Sequence, residues 1–201
     1  INSIALDDNS LFYLNTYGSI YSISNKNLTI DWFINLNQSL DLNPSNLFFS
    51  NPIVVYKEKI IISTDPYLYV LNSVSGSTIL KISIISMFKP IISGNKLFII
   101  TKDNLLVCLD LAKGNIIYSL DISEEIGNFL KTKSKQIDIK SLSLVNNNLL
   151  IFLSNSYLVQ MGVSGKVKKI NKLPNKLNTS PIFVNDSILY LNKKNRLVII
   201  N

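Results

Sequence analysis

The sequence predicts an all-β fold made of repeated four-stranded antiparallel units, and three observations predict it. Residues 11–32, LFYLNTYGSIYSISNKNLTIDW, read as apolar strand, tight turn, second strand, polar turn and a third strand that holds the only tryptophan. The same plan returns from Ile60, Leu97, Leu149 and Ile188. The apolar residue opening the second strand falls at Ile20, Leu68, Leu106, Leu158 and Leu197, at intervals of 48, 38, 52 and 39 residues. A unit of about 38 residues made of short strands has the period of a β-propeller blade. Blades are expected at about residues 3–36, 50–84, 88–122, 139–173 and 178–201, one domain of about four and a half blades. The last unit stops partway, which predicts part of a larger seven- or eight-bladed propeller. Helix should be near absent.

In chain order, a short strand from Ser3 to Leu6 precedes Asp7-Asp8-Asn9. Paired acids suit a metal or acid–base chemistry, but between two apolar strands they read as hairpin residues. Gly18 supplies the positive φ of the next tight turn. From Asn35 to Asn51 the chain runs through a long connection, polar and then apolar at Leu47, Phe48 and Phe49. Pro52, Pro90 and Pro181 open later units, where a missing N–H removes no ladder bond, and Ser141 stands at that place in the fourth. Cys108 aligns with Ser22, Val70, Gln160 and Ile199 at a mid-strand site facing neighbouring units, and reads as a small apolar filler. Asp110 and Asn72 are each followed four residues later by glycine, at Gly114 and Gly76. That spacing is a turn device: the side chain caps backbone N–H groups while glycine turns left-handed. A second long connection, Ser123 to Asp138, places acids before lysines, an order that suits the dipole of a helical turn.

Composition narrows function by exclusion. At 47% hydrophobic, 201 residues can bury a core without metal or disulfide, and one cysteine permits no intrachain bridge. No apolar run reaches the length of a membrane-spanning helix. Residues 1–130 carry eight basic and eleven acidic side chains, whereas residues 131–201 carry twelve and two. The basic segment reads mainly as solvated lysine, and nucleic acid is not expected, because the aromatics sit at strand positions rather than among exposed cations. With no histidine, a Ser-His-Asp triad, a Cys-His pair and His-bearing zinc sites are excluded. No phosphate-binding glycine loop is present, and the Asn-x-Ser/Thr sequons at Asn27, Asn37, Asn178 and Asn185 are what an Asn- and Ser-rich chain contains by chance. The residues point away from enzyme activity, and no cofactor is expected.

Strand, turn, strand, Asp-x-x-x-Gly and an aromatic eight residues after the Asp, as in Asp110, Gly114 and Tyr118, resembles the pyrroloquinoline-quinone-type (PQQ-type) propeller repeat. Trp32 stands in that family's docking-tryptophan place, with Leu80 and Tyr118 substituting in the next two units. Among non-enzymatic members, the segment from Asn178 through Leu191 and Arg196-Leu-Val-Ile-Ile is similar to the final repeat of the BamB-like outer-membrane assembly lipoproteins. That resemblance implies an eight-bladed scaffold on the periplasmic side of the outer membrane. It would assist assembly and insertion of β-barrel proteins, with the assembly machinery as protein partner and this chain as roughly its C-terminal half. The alternative is part of a PQQ-dependent dehydrogenase, or another ligand-binding or sensor propeller. The dehydrogenases need acidic and Asn calcium ligands, a catalytic Asp and usually vicinal cysteines, none of which can be placed here.

The working surface is expected on the two long connections, since residues beyond the basic unit are free of the blade cores. The first offers Leu42, Leu47, Phe48 and Phe49 as apolar anchors, unless the two phenylalanines tuck under their own blade. The second offers a charged rim of Glu124, Glu125, Lys131, Lys133 and Lys135.

Overall fold

A computed structural model of the protein describes residues 3–37, 48–133, 135–185 and 187–200. Five antiparallel sheets follow one another in chain order, each with neighbouring strands adjacent. The first holds β1 (Ser3–Leu6), β2 (Ser10–Leu14), β3 (Ser19–Ser24) and β4 (Ile30–Asn35). The second holds β5 (Val54–Tyr56), β6 (Lys59–Ser63), β7 (Leu68–Asn72) and β8 (Thr78–Ile82). The third holds β9 (Ile91–Ser93), β10 (Lys96–Ile100), β11 (Leu105–Asp110) and β12 (Ile116–Asp121). The fourth holds β13 (Ile139–Val145), β14 (Asn148–Leu153), β15 (Tyr157–Gly162) and β16 (Val167–Lys172). The fifth has three strands, β17 (Ile182–Val184), β18 (Ser187–Leu191) and β19 (Leu197–Ile200).

Proline marks the approach to the first strand in three of the four later sheets. Pro52, Pro90 and Pro181 stand just ahead of β5, β9 and β17, and each of those strands is three residues long. Where Ser141 replaces the proline, β13 extends to seven residues, because every position there keeps an N–H for the ladder. Central strands are buried on both faces, as in Ile60, Ile61 and Ile62 of β6, whereas β4, β8 and β12 alternate between exposed and half-buried residues. Helix exceeds the turn expected in the second connection: α1 (Ile122–Leu130) is a nine-residue helix.

The described residues form two compact units, 1–102 with 107–117, and 103–106 with 118–201. In the first, Phe12, Leu14 and Ile20 of the first sheet meet Ile60, Ile62 and Leu71 of the second. In the second, Phe152 and Leu158 of the fourth sheet meet Tyr190 of the fifth, with Phe183 and Ile188 packed alongside. Cys108 is buried, as are Ser22 and Val70 at the matching places; Gln160 is half-buried and Ile199 exposed.

The first three pairs of consecutive sheets share one recurring contact. Asn72 Oδ1 accepts the backbone N–H groups of Val74 and Ser75 at 2.9 Å, the Gly76 N–H donates to the Asn72 carbonyl, and Gly76 turns left-handed at φ +73°. Asp110 repeats the device with Ala112 and Lys113, and Gly114 takes φ +71°. The bare Cα face of each glycine receives a large side chain from the preceding sheet. The Trp32 ring lies on Gly76 while its Nε1–H donates to the Ser73 carbonyl at 3.0 Å, and Leu80 lies on Gly114. In the second unit Leu120 and Tyr118 lie on Gly165, and the Tyr118 hydroxyl donates to the Val163 carbonyl at 2.9 Å. The register of β3 with β4 slips by one residue at Asp31, and that of β7 with β8 slips at Ile79, immediately before Trp32 and Leu80. A bulge of this kind re-aims the side chain that follows it.

Backbone hydrogen bonds from Ala112 and then Lys113 hold the Asp110 carboxyl below its ordinary pKa. The stability this adds is therefore present above the usual carboxylate range and is lost as pH falls through the lowered folded value. Asn72 does the same work without a charge, so its turn is insensitive to pH in that range.

The glycine contact makes a quantitative prediction. A Cβ at Gly76 would stand 2.7 Å from the Trp32 ring, whereas Gly94, also left-handed at φ +59°, has nothing within 4 Å of that position. Gly76→Ala is expected to cost about 2–4 kcal/mol, with about 1–2 from the left-handed backbone and the rest from overpacking. Gly94→Ala is expected to cost only the backbone part, about 1–2 kcal/mol. Urea unfolding of the two variants measures the difference.

Candidate functional site

The second long connection builds a groove. Asp121 caps α1, its Oδ1 accepting the N–H groups of Ser123 at 2.7 Å and Glu124 at 3.2 Å, and Glu124 and Glu125 occupy the first turn, where the helix dipole favours negative charge. Ile122 and Gly127 are the buried anchors, and the Ile122 N–H donates to the Asn104 carbonyl. At the other end Lys131 turns left-handed, φ +54°, and the Thr132 N–H closes back on the Gly127 carbonyl at 3.0 Å. This closure reverses the chain, as a left-handed residue after a helix commonly does. The Asn104 side chain then donates to the Ile137 carbonyl and fixes the returning segment.

Between α1, the returning segment and one face of the fourth sheet lies a groove of about 420 Å³. Ile126 and Leu130 of the helix form one wall, and Leu153, Val159 and Ile170 form the floor. The floor is one face of paired strands, since Val159 sits directly opposite both Ile151 and Ile170. Val159 is fully buried, whereas Leu130 is 51% exposed and Phe129 44%. Lys133 and Lys135 line the groove, with Thr132, Gln136, Asn155 and Tyr157 as further polar groups, and no carboxylate is among the lining residues.

The five charged residues expected to form one rim are thus placed in three positions. Glu124 and Glu125 lie at the N-terminal end of α1, Lys131 serves as its C-cap, and Lys133 and Lys135 face the groove. In the first connection, Leu42 and Leu47 lie outside the described residues. Phe48 packs half-buried against the core of the first unit, its N–H donating to the Thr16 carbonyl and its ring close to Gly18, which is left-handed at φ +84°. Phe49 is 70% exposed. The tuck under the blade therefore holds for Phe48 and not for Phe49.

Among the described residues, no group of three or more His, Cys, Asp or Glu side chains is arranged to hold a metal ion. Burial raises the Tyr190 phenol above its ordinary pKa, and its hydroxyl donates to the Asn175 carbonyl; neither Tyr190 nor Asp110 lines the groove. No helix among the described residues is long and apolar enough to cross a membrane.

No protein-family model matches the chain, and no curated protein matches it in sequence. Solved structures do match in architecture. BamB from Moraxella catarrhalis aligns over 98% of this chain and 70% of its own, with a TM-score of 0.58 and 7% identity. A quinohemoprotein alcohol dehydrogenase from Comamonas testosteroni aligns over 99% of this chain and 41% of its own, with a TM-score of 0.71 and 10% identity. The WD40 domain of Pan2 from Neurospora crassa aligns over 98% and 59%, with a TM-score of 0.62 and 13% identity. The chain has a β-propeller fold. It is a propeller of repeated four-stranded sheets that resembles both BamB and the quinoprotein enzyme. A fold shared by these proteins at such low identity does not select an activity.

The sequence assigns Lys133 and Lys135 to the second connection, which lines the groove, but does not reveal the apolar floor, because Leu153, Val159 and Ile170 read as ordinary blade core. The signal present was Ile122, Ile126 and Phe129–Leu130, an apolar stripe at helical spacing. An isolated nine-residue helix is marginal, so α1 depends on its cap and its buried side. Asp121→Ala is expected to cost α1 about 1 kcal/mol. Amide hydrogen exchange over residues 122–130 should then quicken about fivefold, with β14 and β15 unchanged.

Proposed function

We propose that the protein is a non-enzymatic, protein-interaction propeller of the BamB type. In this reading it is a scaffold on the periplasmic side of the outer membrane that assists assembly and insertion of β-barrel proteins. The observation that carries the reading is the second connection. It is longer than the blade plan requires, yet it carries a capped helix and presents Phe129, Leu130 and two lysines outward. Exposed apolar groups beside unpaired charge are what a docking surface needs: the apolar part supplies affinity and the lysines supply encounter rate. Exposed Phe49 of the first connection offers a second anchor, and the sequence assigns Leu42 and Leu47, outside the described residues, to the same surface. The fold likeness to BamB supports the scaffold class. The fold likeness to the quinohemoprotein alcohol dehydrogenase supports a second reading, a ligand-binding propeller of the quinoprotein kind.

A photo-cross-linking phenylalanine analogue placed at Phe129 or Lys133 of the full-length protein, in the cells that make it, tests the proposal. Cross-links to components of the β-barrel assembly machinery are expected from both positions and not from Lys26, on the exposed turn between β3 and β4. Absence of such cross-links from Phe129 and Lys133 would overturn it. Titration with PQQ and calcium is expected to leave absorbance and melting temperature unchanged, and a saturable shift would favour the second reading.

A further inference from the structure

We propose that the groove beneath α1 is a binding site for a single-chain amphipathic anion, a carboxylate head on an unbranched apolar tail. The site goes beyond the scaffold reading and does not depend on it. Its volume of about 420 Å³ falls within the range of small-molecule sites, roughly 300–1,000 Å³. Its floor, Leu153, Val159 and Ile170, lies on one face of the adjacent strands β14, β15 and β16, the last of which is the outer strand of the sheet. That face offers apolar side chains, because the ladder groups of a sheet point in its plane and the unpaired ones lie at the outer edge of β16. A methylene tail loses nothing there, at roughly 0.8 kcal/mol gained per buried CH₂. A peptide would bring N–H and C=O groups that this floor cannot satisfy.

The polar groups at the groove set the sign of the head. Lys133 and Lys135 are exposed and make no ion pair with any described residue. The side chains of Thr132, Gln136, Asn155 and Tyr157 likewise have no hydrogen-bonding partner among the described residues, and each carries a donor. With no carboxylate in the lining, a cationic head would meet two like charges and a neutral one would leave both ammonium groups unanswered. An anionic head gains charge-assisted hydrogen bonds from both lysines. The exposed Leu130 and the 37%-exposed Tyr157 mark the apolar wall that such a tail would cover.

The test titrates the full chain with dodecanoate, dodecanol and dodecylammonium, each below its aggregation threshold, by calorimetry and by methyl chemical shifts of Val159 and Ile170. Saturable one-to-one binding of dodecanoate is expected, with both methyl groups shifting and affinity about tenfold or more above that of dodecanol. K133Q/K135Q, at exposed positions that do not bear on folding, should erase the preference for the anion while dodecanol still binds. Ile126→Trp, which fills the groove, should abolish binding of both. Failure of dodecanoate to saturate, binding of dodecylammonium as tight as dodecanoate, or an undiminished anion preference in K133Q/K135Q would each overturn the proposal. Saturable binding of an acidic apolar peptide with no dodecanoate binding would overturn it in favour of a peptide site. Since partner cross-linking is read separately, loss of either result leaves the other standing.

Discussion

A large side chain from the fourth strand of one sheet, lying on a left-handed glycine in the next, is the contact on which the rest of the structure depends. A four-stranded sheet satisfies its own backbone but leaves apolar faces that only another sheet can cover. Covering them in a fixed order requires a contact with directional character, which general hydrophobic burial lacks. Trp32 on Gly76 supplies direction in two ways: the ring fits only because residue 76 has no Cβ, and the indole N–H reaches the Ser73 carbonyl. Leu80 on Gly114 keeps the shape without the hydrogen bond, and Tyr118 beside Gly165 keeps a hydrogen bond, to the Val163 carbonyl, through its hydroxyl. The turn that presents each of the first two glycines is held by an Asn or Asp side chain four residues earlier, so one short motif both closes a hairpin and makes the seat for its neighbour.

Function is expected where this constraint is relaxed. Within the repeat, central-strand side chains are committed to cores and docking side chains to their seats, and the turns are short. The second connection is released from that plan, and it spends its extra residues on a capped helix and a reversal rather than on an irregular loop. The groove that results has walls from the helix and a floor from the fourth sheet, and its lysines come from the returning segment. Acid and base are separated along the helix, with Glu124 and Glu125 at one end and Lys133 and Lys135 at the groove, so the local field there is positive.

Much of the fold was legible because the repeat fixes it locally. Period, turn residues and docking positions all follow from side chains a few residues apart, and Trp32, Leu80, Tyr118, Gly76 and Gly114 could be aligned without a structure. The register slips at Asp31 and Ile79 were not legible, since a bulge adds a residue without changing composition. Phe48 and Phe49 were adjacent and chemically identical in the sequence; only the seat beside Gly18 distinguishes the packed ring from the exposed one. The candidate site was half legible for a similar reason. Its lysines lie in one run, but its floor comes from β14 to β16, brought beneath the helix by tertiary packing that no local pattern encodes.

A double-mutant cycle between Trp32 and Gly76 tests the central claim most directly. If the indole ring occupies the space where a side chain at residue 76 would stand, removing the ring should relieve the overpacking and leave only the backbone cost. Gly76→Ala measured by urea unfolding in the Trp32→Ala background should therefore cost about 1–3 kcal/mol less than in the natural chain. Equal costs in the two backgrounds, within about 0.5 kcal/mol, would contradict the account, because they would mean that the ring and the glycine do not share a seat.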